Sequence, residues 1–296
     1  MKLAFIGFGE AGQALAEGFC SEGVNSIAAW DILFPDAARG APLRAAADRI
    51  GVLIARDAVD AVRGADVVFA AVTADSNLAA ARDAVPGLQP GQFYVDLNSV
   101  SPKRKREAAR IVGERARFVG MAVMAPIHPL RHKTPVLVSG PGAAGIVPLL
   151  RGCGMDAADV GADAGAATAI KMVRSVMVKG FAALMQECFL AARQAGVEDR
   201  IIASLTQSYP KLDWAKLVDY NMERMATHGI RRAAEMREVC ETLEELGVEP
   251  ALTRGTVLRE QRTGDARLKE KFGGRVPEDR AAIFEALVKA SGAGPT

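Results

Sequence analysis

The chain is poor in the residues that build metal centres and disulfide frameworks, with three histidines and four cysteines among 296 residues. Cys20, Cys153, Cys188 and Cys240 lie far apart, and none forms a C-x-x-C pair. That spacing points to separate thiols in a reducing cytoplasm rather than disulfides or zinc. Charge of one sign is lacking too. Lysine and arginine number 37 against 35 acidic residues, a formal net charge of +2. Bulk electrostatics therefore implicate neither nucleic acid nor a membrane surface. No stretch reads as long and apolar enough to span a bilayer. The N-terminal apolar run is cut short by Gly7, Gly9 and Glu10, which argues against a secretory signal. What is abundant is apolar residues, at 50%, ample for one large domain or two smaller ones.

The organising stretch is Leu3-Ala4-Phe5-Ile6-Gly7-Phe8-Gly9-Glu10-Ala11-Gly12. It reads as a strand, a G-x-G-x-x-G turn and then a helix from Gln13 to about Cys20. In such a turn Gly7 makes the bend, Gly9 lets backbone approach a pyrophosphate, and Gly12 lets the helix press on the strand. The helix N-terminus offers N–H groups and partial positive charge to phosphate. Ser26–Trp30 reads as a second strand ending at Asp31, about 20 residues beyond the turn, where a carboxylate accepts from the adenosine ribose and repels a 2′-phosphate. This favours NAD, with NADP not excluded because Arg39 is nearby.

Downstream, Pro35 to Ile50 reads as helical and Gly51 to Ile54 as a third strand. Asp66 to Val72 is the almost purely apolar run of a parallel strand buried on both faces. Val72 and Thr73 fall at its C-terminal end, where open α/β sheets place ligands. Gln92 to Asp96 repeats the pattern and puts Asn98 and Ser99 at the mouth of the cleft. Ser101 is the expected N-cap of the next helix, with Pro102 in its first turn. The basic run Lys103 to Arg106 reads as a solvated face. Arg117 to Pro126 is a strand running into a loop that holds His128, Arg131 and His132. Pro129 opposes a helix that would align the two histidines, so no metal site is expected. His128 or Arg131 could contact a substrate anion. A Gly-, Ala- and Asp-rich seam at Asp156 to Gly165 reads as the domain boundary. Beyond it, Ala166 to Ala195 is a long helix whose Ile170, Val173, Met177, Phe181, Leu184 and Cys188 form an apolar stripe. Lys171 and Ser175 share a face there, with Arg174 beside them. Helices are expected over Asp199–Ser208, Asp213–Thr227, Ile230–Leu246 and Glu278–Ala290, with a break at His228-Gly229. Ser291 to Thr296 should fray.

These features together resemble the β-hydroxyacid dehydrogenases, which include 3-hydroxyisobutyrate and 6-phosphogluconate dehydrogenases. The shared features are the glycine turn, the strand ending in Asp31, Asp96-Leu97-Asn98-Ser99-x-Ser-Pro and the Gly165-x-x-x-x-x-Lys171 helix start. Val123-Met124-Ala125-Pro126, Lys171-Met172-x-x-Ser175 and Arg231-Arg232-Ala-x-Glu235-Met236-x-Glu238 are similar to a poorly characterised subgroup with a C-terminal domain of unknown function. The resemblance implies an α/β Rossmann N-terminal domain (1–163) and an all-α domain (164–296), joined by a long interdomain helix, with the active site between them. It further implies an NAD(P)-dependent dehydrogenase acting on a hydroxyl-bearing small molecule, and a dimer through the C-terminal helices. Gly7, Phe8, Gly9, Glu10, Ala11, Gly12, Asp31, Val72, Thr73, Asn98 and Ser99 would line the cofactor. Lys171 matches the family's acid/base, which takes the hydroxyl proton as hydride leaves.

The sequence departs from that family at the substrate. Ser175 stands where the family has Asn, and Gly120 to Pro126 replaces a loop whose serine and glycines bind a carboxylate. Ala234-Glu235 replaces a Lys-Asp pair. Met124 suggests a less polar or bulkier substrate. Ser99, His128, Arg174, Arg231, Arg232 and Glu235 remain candidate substrate contacts. Imine reduction, oxidative decarboxylation of a 3-hydroxyacid and a non-catalytic dinucleotide sensor stay open as alternatives.

Overall fold

The computed structural model describes residues 1–290; the expected fraying of Ser291 to Thr296 lies outside the described residues. The chain divides into two compact units, Met1–Lys171 and Met172–Thr296. In the first unit the chain runs β1 (Lys2–Ile6), α1 (Glu10–Ser21), β2 (Ser26–Trp30), α2 (Ala41–Ile50), β3 (Leu53–Ile54), α3 (Ala58–Val62) and β4 (Val67–Ala70). It continues through α4 (Asn77–Ala84), β5 (Phe93–Asp96), α5 (Pro102–Val112), β6 (Arg117–Val123), β7 (Val136–Ser139), α6 (Ala143–Gly152) and β8 (Ala157–Asp159). The strands form one sheet in the order β3-β2-β1-β4-β5-β6-β7-β8. All neighbours are parallel except β6 and β7.

Strand side chains alternate between the two faces of that sheet. Leu3, Phe5, Val67, Phe69, Phe93 and Val95 enter one apolar core. Ala4, Ile6, Val68, Ala70 and Tyr94 enter the other. A strand covered on both faces has no reason to carry a polar residue until it ends. The chemistry of this unit therefore collects at the strand ends. The strand order reverses between β1 and β4, and the crevice at their C-terminal ends is the usual ligand site of an open α/β sheet.

Several local expectations need correcting. Helix α1 begins at Glu10, because Gly9 already has the extended conformation of an N-cap. The stretch Pro35 to Arg39 is not helical; Arg44 reaches back to Phe34 O and Asp36 O and ties it as a loop. The seam at Asp156 to Gly165 contains β8, an edge strand paired with β7.

Helix α7 (Ala166–Gln194) begins in the first unit and ends in the second. By length and composition alone it passes for a membrane-crossing helix, which corrects the expectation that no such stretch exists, but the core helix of a globular protein passes the same test. Its apolar stripe is not its buried face. Met177 is 72% and Leu184 65% exposed, and Ile170, Val173 and Cys188 are exposed as well. Phe181 alone of the six is half-buried. The buried face of α7 runs through Met172, Ser175, Lys179, Ala182, Gln186 and Phe189, in alternating steps of three and four, with Ala183 and Met185 beside it. Ser175, Lys179 and Gln186 are polar, so counting apolar residues selected the wrong face.

The second unit continues with α8 (Glu198–Ser208), α9 (Trp214–Glu245), α10 (Ala251–Asp265), α11 (Leu268–Lys271) and α12 (Arg280–Ala290). Its main core gathers Met185 and Phe189 of α7, Trp214, Val218, Met222 and Met225 of α9, and Ile283 and Phe284 of α12. The break expected at His228-Gly229 does not occur, and α10 was not foreseen. Gly229 is where α9 crosses α10: a Cβ there would lie 2.6 Å from Glu260 O and 2.6 Å from Gly264 N. Glycine persists inside this helix because the two backbones touch, which outweighs its poor helix propensity.

Candidate cofactor and active site

The glycine turn meets the demands of a pyrophosphate cradle. Gly7 has φ +90, and a Cβ there would lie 2.4 Å from Ala71 O, so only glycine fits the bend against the end of β4. A Cβ on Gly12 would lie 2.7 Å from Gly7 O, whereas one on Gly9 would meet nothing within 4 Å. The turn is thus crowded on the protein side and open at Gly9. No side chain caps the start of α1, leaving its first N–H groups to a ligand. The ring of Phe8 is buried in the core, so its contribution to a cofactor is backbone. Glu10 is exposed and Ala11 half-buried in the first turn.

Asp31 stands at the end of β2 and grips the turn. Its Oδ2 accepts from Phe8 N at 2.8 Å and its Oδ1 from Leu33 N at 2.9 Å. The carboxylate is fixed in place, with lone pairs left for ribose hydroxyls. Arg39, the residue that leaves NADP open, pairs with Asp36 at 2.7 Å.

A buried polar network joins the ends of β4 and β5. Asn98 Oδ1 accepts from Val72 N at 2.7 Å. Asp96 Oδ1 accepts from Asn98 N at 2.9 Å and from Asn98 Nδ2 at 2.7 Å, and its Oδ2 accepts from Asn77 Nδ2 at 2.8 Å. Lys105 Nζ completes the set, donating to Asp96 O at 2.6 Å and pairing with Asp96 Oδ1 at 2.9 Å. Lys105 is 0% exposed, so the reading of Lys103 to Arg106 as a solvated face is wrong at its third member. Burial pushes its pKa down, opposed by the charge of Asp96. Of the others, Lys103 is exposed and Arg106 pairs with Asp163 at 2.8 Å. Thr73 is exposed just beyond Val72.

Ser99 and Lys171 come together: Lys171 Nζ donates to Ser99 Oγ at 2.8 Å. The start of α7 is anchored to the same loop, because Thr168 Oγ1 donates to Val100 O at 2.9 Å. Met124 is half-buried just past β6, and its N–H bonds Pro135 O at 2.9 Å. His128 and Arg131 are exposed. His132 is buried instead, 3.1 Å from Glu22 Oε1 and against the ring of Phe19. It pins its loop to α1, and among the described residues no cluster of three or more metal-ligating side chains forms.

In the second unit Ser175 is buried and accepts from Lys179 Nζ at 3.3 Å. Lys179 in turn pairs with Glu235 Oε2 at 3.0 Å, and Arg231 with Glu235 Oε1 at 3.6 Å. Arg232 is committed to Glu260 at 2.7 Å, which leaves it poorly placed as a substrate contact. Glu260 is 0% exposed; burial pushes its pKa up and the charge of Arg232 pulls it back. Arg174 is exposed.

The family model for NADP oxidoreductase coenzyme F420-dependent proteins matches residues 2–99, and that for a domain of unknown function (DUF1932) matches residues 192–262. A conserved hypothetical protein from Sinorhizobium meliloti 1021 is similar at 36% identity, covering 98% of this chain and 96% of its own, with a TM-score of 0.77. A conserved protein of unknown function, whose structure reveals similarity with 3-hydroxyacid dehydrogenases, is 29% identical over 91% of this chain and 99% of its own, with a TM-score of 0.73. The chain belongs to the 3-hydroxyacid dehydrogenase-like oxidoreductases. The fold alone is shared with Mycobacterium tuberculosis 3-hydroxyisobutyrate dehydrogenase, solved with L-serine, at 16% identity, 97% and 98% coverage and a TM-score of 0.72. It is also shared with a reductive aminase from Aspergillus terreus, solved with NADPH4, cyclohexanone and allyl amine, at 19% identity, 97% and 98% coverage and a TM-score of 0.57.

The family is one of NAD(P)-dependent oxidoreductases, and the chain has its Rossmann-like N-terminal region and helical C-terminal region. Two charged side chains escaped the sequence reading, Lys105 and Lys179. For Lys179 a signal was there: it lies one helical turn beyond Ser175, as Ser175 lies beyond Lys171. For Lys105 the only signal was Asp96 at the end of an apolar strand, a buried anion in need of a cation.

Proposed function

We propose that this chain catalyses reversible hydride transfer between a nicotinamide dinucleotide and a hydroxyl-bearing small molecule, a hydroxyacid or related alcohol. The observation that carries the reading is Lys171 Nζ held 2.8 Å from Ser99 Oγ, on the loop that follows β5. When bound, the nicotinamide accepts or returns the hydride. Lys171 then takes the hydroxyl proton in the oxidative direction and gives it back in the reductive one. Ser99 holds the amine in place by accepting one of its hydrogen bonds. One turn further along the same helix, the Ser175 hydroxyl is held by Lys179, which pairs with Glu235. The Gly9 backbone, open on its outer side, and the start of α1 take the pyrophosphate, and Asp31 takes the adenosine ribose and favours NAD over NADP.

The test is a coupled absorbance screen of hydroxyacids and aryl alcohols with both nucleotides. Lys171→Ala should lower kcat by about 10²–10⁴-fold, the span of general acid–base catalysis, with NADH affinity unchanged. Turnover of imines but not of alcohols would overturn the assignment to hydroxyl chemistry. The exposed Val173, Met177 and Leu184 of α7 support a homodimer through the helical unit, and a monomeric mass by light scattering would refute it.

A further inference from the structure

Lys105 is buried without a part in the chemistry above. An ammonium taken fully out of water is tolerated only where partners replace the hydration it loses. Here both of its bonds go to a single residue, to the carbonyl and the carboxylate of Asp96. The same Oδ1 that Lys105 touches accepts both amide donors of Asn98, and Asn98 passes the connection on to Val72 N. A continuous series of bonds thus runs from α5, through the end of β5, to the end of β4. These two strand ends lie on the far side of the order reversal from Asp31, which marks the adenosine end of the crevice. A dinucleotide laid across that reversal puts its nicotinamide half over Val72, Thr73, Asn98 and Ser99.

The series also explains why the anchor is charged. Asp96 gathers hydrogen bonds from Asn77, Asn98 and Lys105 at once, which a carboxylate can accept and a neutral amide cannot. The carboxylate must be balanced where it is buried, and Lys105 supplies the balance from the first turn of α5. Ser101 caps that helix and Pro102 opens it, so the position of Lys105 is set by the same turn that it stabilises.

We infer that Lys105, acting through Asp96 and Asn98, is a positioning residue that shapes the 97–99 turn for the nicotinamide half of the cofactor, while the adenosine half binds independently of it. The inference rests on the dinucleotide reading given above. It is tested by isothermal titration of the full chain with ADP-ribose, which lacks nicotinamide, and with NADH. For Lys105→Met the Kd for NADH should rise at least tenfold while that for ADP-ribose stays within twofold of wild type. Lys105→Arg should restore part of the NADH affinity. Should Lys105→Met fail to fold, Asn98→Ala cuts the same series beyond the buried charges and should give the same selective loss. Equal weakening of both ligands would mean a purely structural role and would overturn the inference, as would unchanged NADH binding. If wild type binds neither ligand, the dinucleotide reading itself falls, and the inference with it.

Discussion

The two units bury their polar groups in different places. In the first unit both faces of the sheet are apolar, and Asp31, Asn77, Asp96, Asn98 and Lys105 gather where β2, β4 and β5 end, while Gln92 is buried at the start of β5. In the second unit polar groups run through the interior along one face of α7, as Ser175, Lys179 and Gln186, and meet Glu235, Glu260 and Thr263 from α9 and α10. Lys179 and Glu235 pair, and Arg232 and Glu260 pair. A sheet sends polar residues to its edges because its middle is covered on both sides. A helix bundle has no such edge, and its buried ions must be matched across segments distant in sequence. The first arrangement leaves its polar groups together along one rim of the sheet. The second makes a specific helix alignment, since a shift of one residue would separate both pairs.

The sharpest way to break this contrast is to remove one ion of the second unit. Arg232→Met should destabilise the helical unit by about 3–5 kcal/mol, because Glu260 is left buried and uncompensated. Pairing it with Glu260→Leu should recover most of that loss. Urea unfolding of the single and double variants measures both, and simple additivity would contradict the account.

Two glycine substitutions sharpen the same comparison. Gly229→Ala places a methyl between two backbones and should cost about 1–3 kcal/mol of overpacking, visible as a lower Tm. Gly9→Ala meets no protein atom within 4 Å and should cost about 1 kcal/mol or less, the penalty of alanine against glycine at an N-cap. Its effect should fall on the ligand instead, with NADH affinity reduced about tenfold, or 1.4 kcal/mol. If Gly9→Ala bound NADH like wild type, the open side of the turn would not be the pyrophosphate site.

The smallest effect belongs to the surface pair Arg106–Asp163. Arg106 holds the Asp163 carboxyl below its ordinary value of 3.8. The native state therefore binds the proton less readily than the unfolded chain, and the pair stabilises above pH 3.8. Its contribution is lost as pH falls through the lowered native value. Both side chains are about half exposed, so Asp163→Asn should cost no more than about 1 kcal/mol at neutral pH after solvent screening. Thermal melts should show the difference fading in acid.

The contrast also governs what could be read from sequence. The first unit was legible because each of its signals is local: a glycine spacing, an apolar strand, an acid at its end. Asp31, Val72, Asn98 and Ser99 fall at strand ends as their positions implied. What failed there was Lys105, since a basic run on an amphipathic helix looks the same whether or not one member turns inward to an anion nine residues earlier. In the second unit the pairing of Lys179 with Glu235 spans α7 and α9, and nothing near either residue announces it. Polar residues on the buried face of α7 diverted the apolar pattern to the exposed face. Gly229 looked like a helix break because a close crossing with Gly264 cannot be seen from one segment. Lys171 was legible only through family resemblance; its hydrogen bond to Ser99 joins positions 72 residues apart.

A glycine turn and an Asp31 that hold a nicotinamide dinucleotide, as proposed above, must bind the free nucleotide. Fluorescence titration of the purified chain with NADH and NADPH tests it directly. Saturable binding of both is expected, tighter for NADH because the Asp31 carboxylate repels a 2′-phosphate. Tighter NADPH binding would contradict the role given to Asp31, and binding of neither would contradict the claim itself.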